Sequence, residues 1–291
     1  MATTFLKKFA THTEYNTYIN GNSVLPNVSL CADKNEVHFN SLGRWANEYL
    51  TFVALTNGTI SFDYLDTLPT AKARYMEYST DNGETWTRTN NVDNQNVTIT
   101  VNVSQGDSIL WRGDNDTLGV YESSEDDYYG SFFSSTCDFD AKGNIMSLLY
   151  SDNFKNQVTL ETSGSFNSLF NNYVEERTCK IVNAKYLVLP ATTLSISCYG
   201  YMFFECTTLV TAPVLPATTL EISCYDYMFY DCSSLNYIKA MFTTIPSSSY
   251  TSNWVSGVAA SGTFVKNSAA SWNVTGVNGI PSGWTVQTAS A

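Results

Sequence analysis

The stretch LPATTLSISCYGYMFFECTTLVTAP (Leu189–Pro213) is followed almost at once by LPATTLEISCYDYMFYDCSSLNYIKA (Leu215–Ala240). The second copy begins 26 residues after the first, and its leucines, cysteines, tyrosines and methionine recur in register. A fixed repeat of about 20–50 residues is typical of a solenoid, in which each repeat buries its apolar side chains by stacking on its neighbours. The repeat therefore predicts a solenoid, which more often presents a binding surface than a catalytic centre.

The rest of the chain divides into regions of different pattern. Leucine and phenylalanine before the clear repeats predict a degenerate first repeat, so a short leucine-rich-repeat solenoid should cover 143–246. Alternating apolar residues around glycine predict a β-rich C-terminal cap over 247–291. Short alternating segments between Asn-Gly turns predict a small antiparallel β-sandwich over 46–142, which includes an acidic connecting segment. Residues 1–45 have little apolar surface and should form an N-terminal arm. The predicted fold is mainly β.

Local patterns predict the elements inside these regions. In each repeat, Cys-Tyr-x-Tyr-Met-Phe predicts a short helical turn on the convex side, and 207–210 and 234–238 predict the strands. In the arm, a capping-box pattern predicts a helix that ends at Asn20-Gly21, and 36–40 alternates like a strand. The strands predicted in the sandwich are Tyr49–Leu55, Thr59–Tyr64, Arg74–Ser79, Thr85–Arg88, Val97–Val103 and Ser108–Arg112.

Composition excludes several classes of partner. The chain has 291 residues and a net charge of −12. Nucleic acids and anionic membrane surfaces bind clustered lysine and arginine, so neither is an expected partner. No segment approaches the roughly 20 apolar residues of a membrane helix, so no membrane insertion is expected. The opening MATTFLKKFATHTEYNTYING lacks the apolar segment of a signal peptide, so none is expected.

The cysteines and the acidic segment are the candidates for metal or redox chemistry. Four of the seven cysteines occupy equivalent repeat positions, which predicts small buried thiols stacked inside the solenoid. Disulfides in an oxidising compartment are the alternative. The C-x7-C spacing is unlike that of structural zinc sites, so no metal is predicted. The acidic stretch 114–127 predicts a solvated connection rather than a calcium loop, because it lacks the turn glycine and the terminal glutamate of such loops.

No constellation in the sequence predicts catalysis. The two histidines, His12 and His38, both lie in the arm, and neither a nucleophile elbow nor a phosphate-binding glycine loop is present. We therefore expect a protein that is not an enzyme and that needs no cofactor.

One segment matches the Asp box of sialidase-like propellers. A propeller carries several copies of this motif, whereas a single copy predicts a tight turn. Glycoside hydrolysis is accordingly only a remote alternative. The residues of the motif are Ser79, Asp81, Gly83 and Trp86.

The tyrosines that recur with the repeat are candidates for contact with a glycan or another partner. If they point outward, they form a ladder that is able to stack on sugar rings. If they point inward, they are core. The sequence leaves both arrangements open, including one in which each repeat turns one tyrosine outward. The four residues are Tyr199, Tyr201, Tyr225 and Tyr227.

Several stretches resemble one family. The two repeats resemble BspA-type leucine-rich repeats. The ending NWVSGVAASGTFVKN…GVNGIPSGWTV resembles the cap that follows such arrays in gut Bacteroidetes and their phages, and GNIMSLLYSDNF resembles the segment that leads into them. The opening KKFATHTEYNTYINGNSVLPNVSLCADKNEVHFN is similar to an N-terminal segment of phage surface proteins, including those of crAss-like phages.

The resemblance implies a non-enzymatic surface protein. As a phage head or tail fibre, it would dock on other virion proteins through its arm and present the repeats to host or mucosal glycans, usually as a homotrimer. Assembly of virions in the host cytoplasm agrees with unpaired cysteines and with no signal peptide. A bacterial cell-surface adhesin is the alternative, although the short array limits any concave binding surface. The arm residues expected to make the attachment are Phe5, Phe9, Tyr15, Tyr18, Leu25, Pro26 and Val28.

Overall fold

A computed structural model describes residues 45–64, 75–90, 97–119, 130–172 and 178–289. The predicted arm lies outside the described residues, apart from its last position, and so do the arm's predicted helix, strand and attachment residues. Residues 120–127 of the acidic segment also lie outside them.

The described part of the chain is mainly β, with thirteen strands and one short α-helix, α1 (Ser147–Tyr150). Single 3₁₀ turns cover Trp45–Asn47, Ser151–Asn153 and Ser248–Tyr250. The strands are β1 (Leu50–Ala54), β2 (Gly58–Tyr64), β3 (Tyr75–Ser79), β4 (Thr87–Asn90), β5 (Val97–Val103), β6 (Ser108–Asp114), β7 (Phe132–Ser135), β8 (Phe139–Asn144), β9 (Ile181–Val188), β10 (Thr211–Leu215), β11 (Tyr237–Ala240), β12 (Thr263–Lys266) and β13 (Thr285–Thr288).

Two sheets contain all of these described strands. Ten strands form a large sheet in the order β13-β12-β11-β10-β9-β8-β1-β6-β3-β4, and three form a small sheet in the order β5-β2-β7. From β8 to β13 the neighbours pair in parallel, as the strands of a β-solenoid of about four turns. From β8 through β1 to β4 they pair antiparallel. The border predicted between residues 142 and 143 therefore falls inside β8, which belongs to both parts of one continuous sheet.

Aromatic packing joins the small sheet to the antiparallel part of the large sheet. The Phe133 ring lies 4.7 Å from Phe52 and 5.1 Å from Trp111, measured between ring centroids. All three side chains are fully buried. Strands occupy all six positions predicted in this region, because alternation of apolar and polar residues there matches one buried and one exposed face.

The helical turn predicted in each repeat is wrong. The stretches 195–206 and 221–232 are instead chains of overlapping turns that bond to the adjacent coil. The Met202 N–H donates to the Tyr199 carbonyl within its own coil at 3.3 Å, whereas the Tyr199 N–H donates to the Cys224 carbonyl of the next coil at 3.1 Å. Every fourth residue has a left-handed φ of +52° to +56°, which interrupts any α-helix. These residues are Ser197, Tyr201, Glu205, Ser223, Tyr227 and Asp231.

The strands of the repeats begin later than predicted. β10 begins at Thr211 and β11 at Tyr237, whereas the predictions placed strands at 207–210 and 234–238. Leu209 and Leu235, which looked like strand residues, are buried at the corner before each strand and donate backbone hydrogen bonds to Cys206 and Cys232. In both repeats a leucine follows three residues after a cysteine. This spacing therefore belongs to the corner turn and not to the strand.

The interior of the solenoid contains thiols that are free and buried. The six described cysteines form no disulfide. The thiols of Cys206 and Cys232 donate to backbone carbonyls at 3.0 Å, and burial raises the pKa of Cys198 to about 12. A thiol with so high a pKa is a poor nucleophile. Cys31 lies outside the described residues.

Candidate partner-binding surfaces

Two of the four recurring tyrosines lie inside the solenoid and cannot contact a partner. Tyr199 is 1% exposed and Tyr225 is 0% exposed. Their rings stack on each other at 6.0 Å, and Tyr199 also stacks on Phe166 at 5.9 Å. Burial raises the pKa of both phenols well above the ordinary value. The prediction of partner contact therefore applies only to Tyr201 and Tyr227.

Tyr201 and Tyr227 are half-buried. They lie on the outer surface of the solenoid, on the side that contains the turns. Their ring centroids are 4.8 Å apart and the planes differ by 16°. Phe204 and Tyr230 stack beside them, also at 4.8 Å, and we call these four residues the outer ladder. Because each ring covers the face of its neighbour, the ladder presents ring edges and phenol oxygens. Stacking on a sugar requires an open ring face.

Carboxylates border the outer ladder. Glu205 and Asp231 occupy equivalent positions in successive coils. Burial raises the pKa of Glu205, and the nearby Asp231 carboxylate raises it further. The Tyr227 oxygen accepts a hydrogen bond from Asn253 Nδ2 at 3.0 Å. Two carboxylates that follow ladder residues in the sequence disfavour an anionic ligand here.

The other side of the solenoid is the outer face of the large sheet. In β11 the side chains of Ile238 and Ala240 are buried, so Tyr237 and Lys239 lie on the opposite face. Tyr237 pairs with Thr211 of β10. This face continues through β9 and β8 to the 3₁₀ turn that precedes β1.

Aromatic rings and ammonium groups alternate on this face. Trp45 and Tyr186 lie 5.7 Å apart with their planes tilted by 37°. Lys142 Nζ is 5.1 Å from the Trp45 ring, and Lys185 Nζ is 5.3 Å from the Tyr186 ring. Unlike the outer ladder, these rings do not cover one another. We call the group the sheet face: Trp45, Lys142, Lys185, Tyr186, Tyr237 and Lys239.

The sheet face groups lysines in a chain that is acidic overall. Among the described residues, the Asp140 carboxylate lies on the same sheet and accepts a hydrogen bond from Asn183 Nδ2 at 3.2 Å. Burial raises the pKa of Tyr237, and the positive charge of Lys185 opposes that rise. In a protein of net charge −12, the sheet face thus brings three lysines together. Farther along the same sheet, Arg88 and Arg112 each contact the buried Glu77 carboxylate at 2.6 Å.

The Asp-box residues hold a hairpin turn between β3 and β4. Asp81 accepts hydrogen bonds from Ser79 Oγ at 2.7 Å and from the Thr85 N–H at 2.9 Å, and the bonds from Thr85 lower the pKa of Asp81 most, to about 2. The Gly83 N–H donates to Ser79 Oγ at 2.8 Å. This network keeps the turn closed.

The tryptophan of the Asp box packs on the outer face of the sheet. Its ring lies 3.9 Å from the Arg112 guanidinium carbon and 5.0 Å from the Tyr49 ring. Trp86 therefore covers the guanidinium that contacts Glu77. Every contact described for the four motif residues is thus internal to the hairpin or to the sheet beneath it.

A small polar cavity lies at the junction of the acidic segment and the first coil. Its volume is about 150 Å³, and it is lined by Asp114, Asp116 and Glu161 among others. Pockets for small-molecule ligands are typically about 300–1,000 Å³. Within the described ranges, no group of three or more histidine, cysteine or acidic side chains has the arrangement of a metal site. A binding role is therefore better served by an open surface than by this cavity.

Comparison with known proteins provides no relative for this chain: no family model, curated protein or solved structure matches it. None of the helices in the described ranges has the length and apolar character needed to span a bilayer.

Sequence reasoning did not find the sheet face. Lys142, Tyr186 and Lys239 lie on three different strands, and no local motif links them. The alternation Tyr237-Ile238-Lys239-Ala240 was the available signal. The strand predicted at 234–238 ends before Lys239, whereas β11 covers Tyr237–Ala240 and places Tyr237 and Lys239 on one face.

Proposed function

We propose that this protein is a non-enzymatic binding protein on the surface of a phage particle, and that its sheet face binds host or mucosal glycans that carry acidic groups. The observation that carries the glycan part is the grouping of three lysines with mutually tilted aromatic rings on one face. Aromatic rings stack on the apolar faces of sugars, and ammonium groups bind carboxylate or sulfate.

The family resemblance supports the remaining parts of the proposal. In this reading the coils are leucine-rich repeats, the two packed sheets are a β-sandwich, and residues 1–45 are an arm that docks on other virion proteins. A homotrimer is the proposed assembly, because the fibres that this chain resembles are usually threefold. The proposed location is the virion surface.

The sheet face suits an acidic glycan better than the outer ladder does. The ladder rings cover each other at 4.8 Å, and the carboxylates of Glu205 and Asp231 lie beside them. Both features oppose stacking by an anionic sugar. The sheet face has tilted rings and three grouped lysines, and both features favour such a ligand.

Replacing Lys185 and Lys239 together by glutamine should weaken binding of sialylated or sulfated mucin glycans by about tenfold or more, since each charge-assisted hydrogen bond to a ligand contributes on the order of 1–3 kcal/mol. A glycan array followed by titration at low and at physiological salt measures this. Binding by the wild-type protein should fall as salt rises and should be lost on desialylated, desulfated mucin.

Two control variants locate the site. Lys155→Gln removes an exposed lysine away from the sheet face and should bind like the wild type. Tyr201→Ala combined with Tyr227→Ala should also bind normally. If that double variant loses binding while the lysine double variant keeps it, the outer ladder is the site and the assignment to the sheet face is overturned.

The particle location has its own test. Deleting residues 1–40 should abolish incorporation into phage particles, because the proposed attachment residues lie there, while the far-ultraviolet circular dichroism of the purified chain keeps its β character. Mass spectrometry of purified particles measures incorporation. Normal incorporation of the truncated chain would contradict attachment through the arm.

A further inference from the structure

We propose that the C-terminal end of the solenoid is a docking surface for a second copy of this chain, joined through pairing of β13 with β13 of the other copy. This inference does not rest on glycan binding or on location in a phage. It rests on an edge strand, exposed valines and an absence of charged side chains, all in the final coil.

The first observation is the edge strand. Among the described strands, β13 is the last of the large sheet and pairs only with β12. All four of its residues are exposed. On the side away from β12, the backbone N–H and C=O groups of β13 point out of the sheet. Such an edge is a template for another strand.

The second observation is a set of exposed valines on the same final coil. Val274, Val277 and Val286 are 45%, 45% and 46% exposed. They account for three of the five large apolar side chains that are exposed in the described part of the chain. Terminal repeats of solenoids usually have a polar outer face that keeps the protein soluble. This end has apolar side chains there.

The third observation is charge. From Asn267 to Ala291 the sequence contains no lysine, arginine, histidine, aspartate or glutamate. Edge strands in monomeric proteins are commonly protected by lysine or proline, and β13 has neither. Strand β4, at the opposite edge of the sheet, carries Arg88.

The absence of charge favours a second copy as the occupant. Two copies that each carry −12 repel one another over most of their surface, and the uncharged end is where they approach at least cost. Antiparallel pairing about a twofold axis matches β13 with itself in a register centred on one residue, so that Val286 lies opposite Val286 and Thr285 opposite Gln287 of the other copy. Such a self-complementary contact closes after two copies, as twofold interfaces do.

The test compares masses of the full chain in solution. Light scattering on a reduced sample should give the wild-type protein twice the mass of a variant that carries both Val277→Lys and Val286→Lys, because the lysines at 286 would face each other across the axis and those at 277 would add positive charge to the same end of both copies. The factor of two holds whether or not residues 1–45 assemble trimers, since each assembly would lose its end-to-end partner.

A matched control separates this interface from a general effect of surface lysine. Val158→Lys changes a valine that is 44% exposed in another region and should keep the wild-type mass. Equal masses for the wild type and the double variant would overturn the proposal. A wild-type mass that grows with concentration beyond twice the mass of the double variant would also overturn it, because that behaviour indicates head-to-tail pairing.

Discussion

Gly143→Ala should destabilise the protein by more than about 3 kcal/mol and leave little folded material, since strain and overlap of backbone atoms act together at this position. Gly143 has a φ of +86°, and a Cβ built there would lie 2.0 Å from the backbone oxygen of Tyr49. That oxygen cannot move freely, because the adjacent Glu48 carbonyl accepts a hydrogen bond from the Asn144 N–H at 2.9 Å. The methyl group would therefore separate β8 from the segment that enters β1.

Gly106→Ala is the matched control for this prediction. Gly106 has a similar φ of +92°, but a Cβ there has no atom within 4 Å. The Gly106→Ala variant should lose only about 1–2 kcal/mol of stability, which is the cost of a left-handed φ for alanine. Urea denaturation of both variants measures the difference. Equal losses would mean that backbone strain alone, not the contact with Tyr49, decides the outcome.

Tyr225→Ala should lower the free energy of unfolding by about 3–5 kcal/mol, the range for truncating a large buried ring. Tyr225 is fully buried between Tyr199, at 6.0 Å, and Trp254, at 6.3 Å. Removing its ring interrupts the stacked column that connects the repeats to the last coils. The remaining cavity has rigid walls, because backbone hydrogen bonds between adjacent coils hold the turns on either side.

Tyr225→Phe should not lower the free energy of unfolding as Tyr225→Ala does. The Tyr225 hydroxyl is buried without a hydrogen-bond partner among the described residues. Phenylalanine keeps the stacked ring and removes a polar group that loses its hydration on folding, so stability should stay equal or rise by about 1 kcal/mol. Thermal and urea denaturation of the alanine and phenylalanine variants test the pair. A loss above about 1 kcal/mol in Tyr225→Phe would show that the hydroxyl makes a stabilising bond.

The repeat sequence was sufficient to predict the solenoid. Cys198 recurs as Cys224 and Tyr199 as Tyr225, so equivalent residues had to stack wherever the coils stacked. Free, buried thiols followed from the same argument, because small apolar side chains in register fill a narrow core. Alternation also located the strands between residues 50 and 114, since one face of each is buried.

The conformation between the strands was not predictable from this pattern. Aromatic residues two apart, such as Tyr199 and Tyr201, are compatible with several backbones. The choice was made by hydrogen bonds between coils, in which the Tyr201 N–H donates to the Asp226 carbonyl at 2.8 Å. Those bonds hold Tyr201 at a φ of +55° and direct the two tyrosines to opposite sides. The hydrogen-bond acceptor that fixes this conformation is 25 residues away in the sequence, so local propensity does not predict it.

The amino-acid pattern is thus sufficient to predict the architecture: a period of 26 residues, a mainly β chain and a core of stacked rings and thiols. The surfaces that a partner can meet depend instead on the three-dimensional fold. Trp45, Lys142 and Tyr237 come together because β8, β9, β10 and β11 are neighbours in one sheet. The stretch after Lys266, which has no charged side chain, lies at an edge of the described sheet because β13 pairs with β12. Residues far apart in the chain form a surface through strand pairing, and strand pairing is a property of the whole fold.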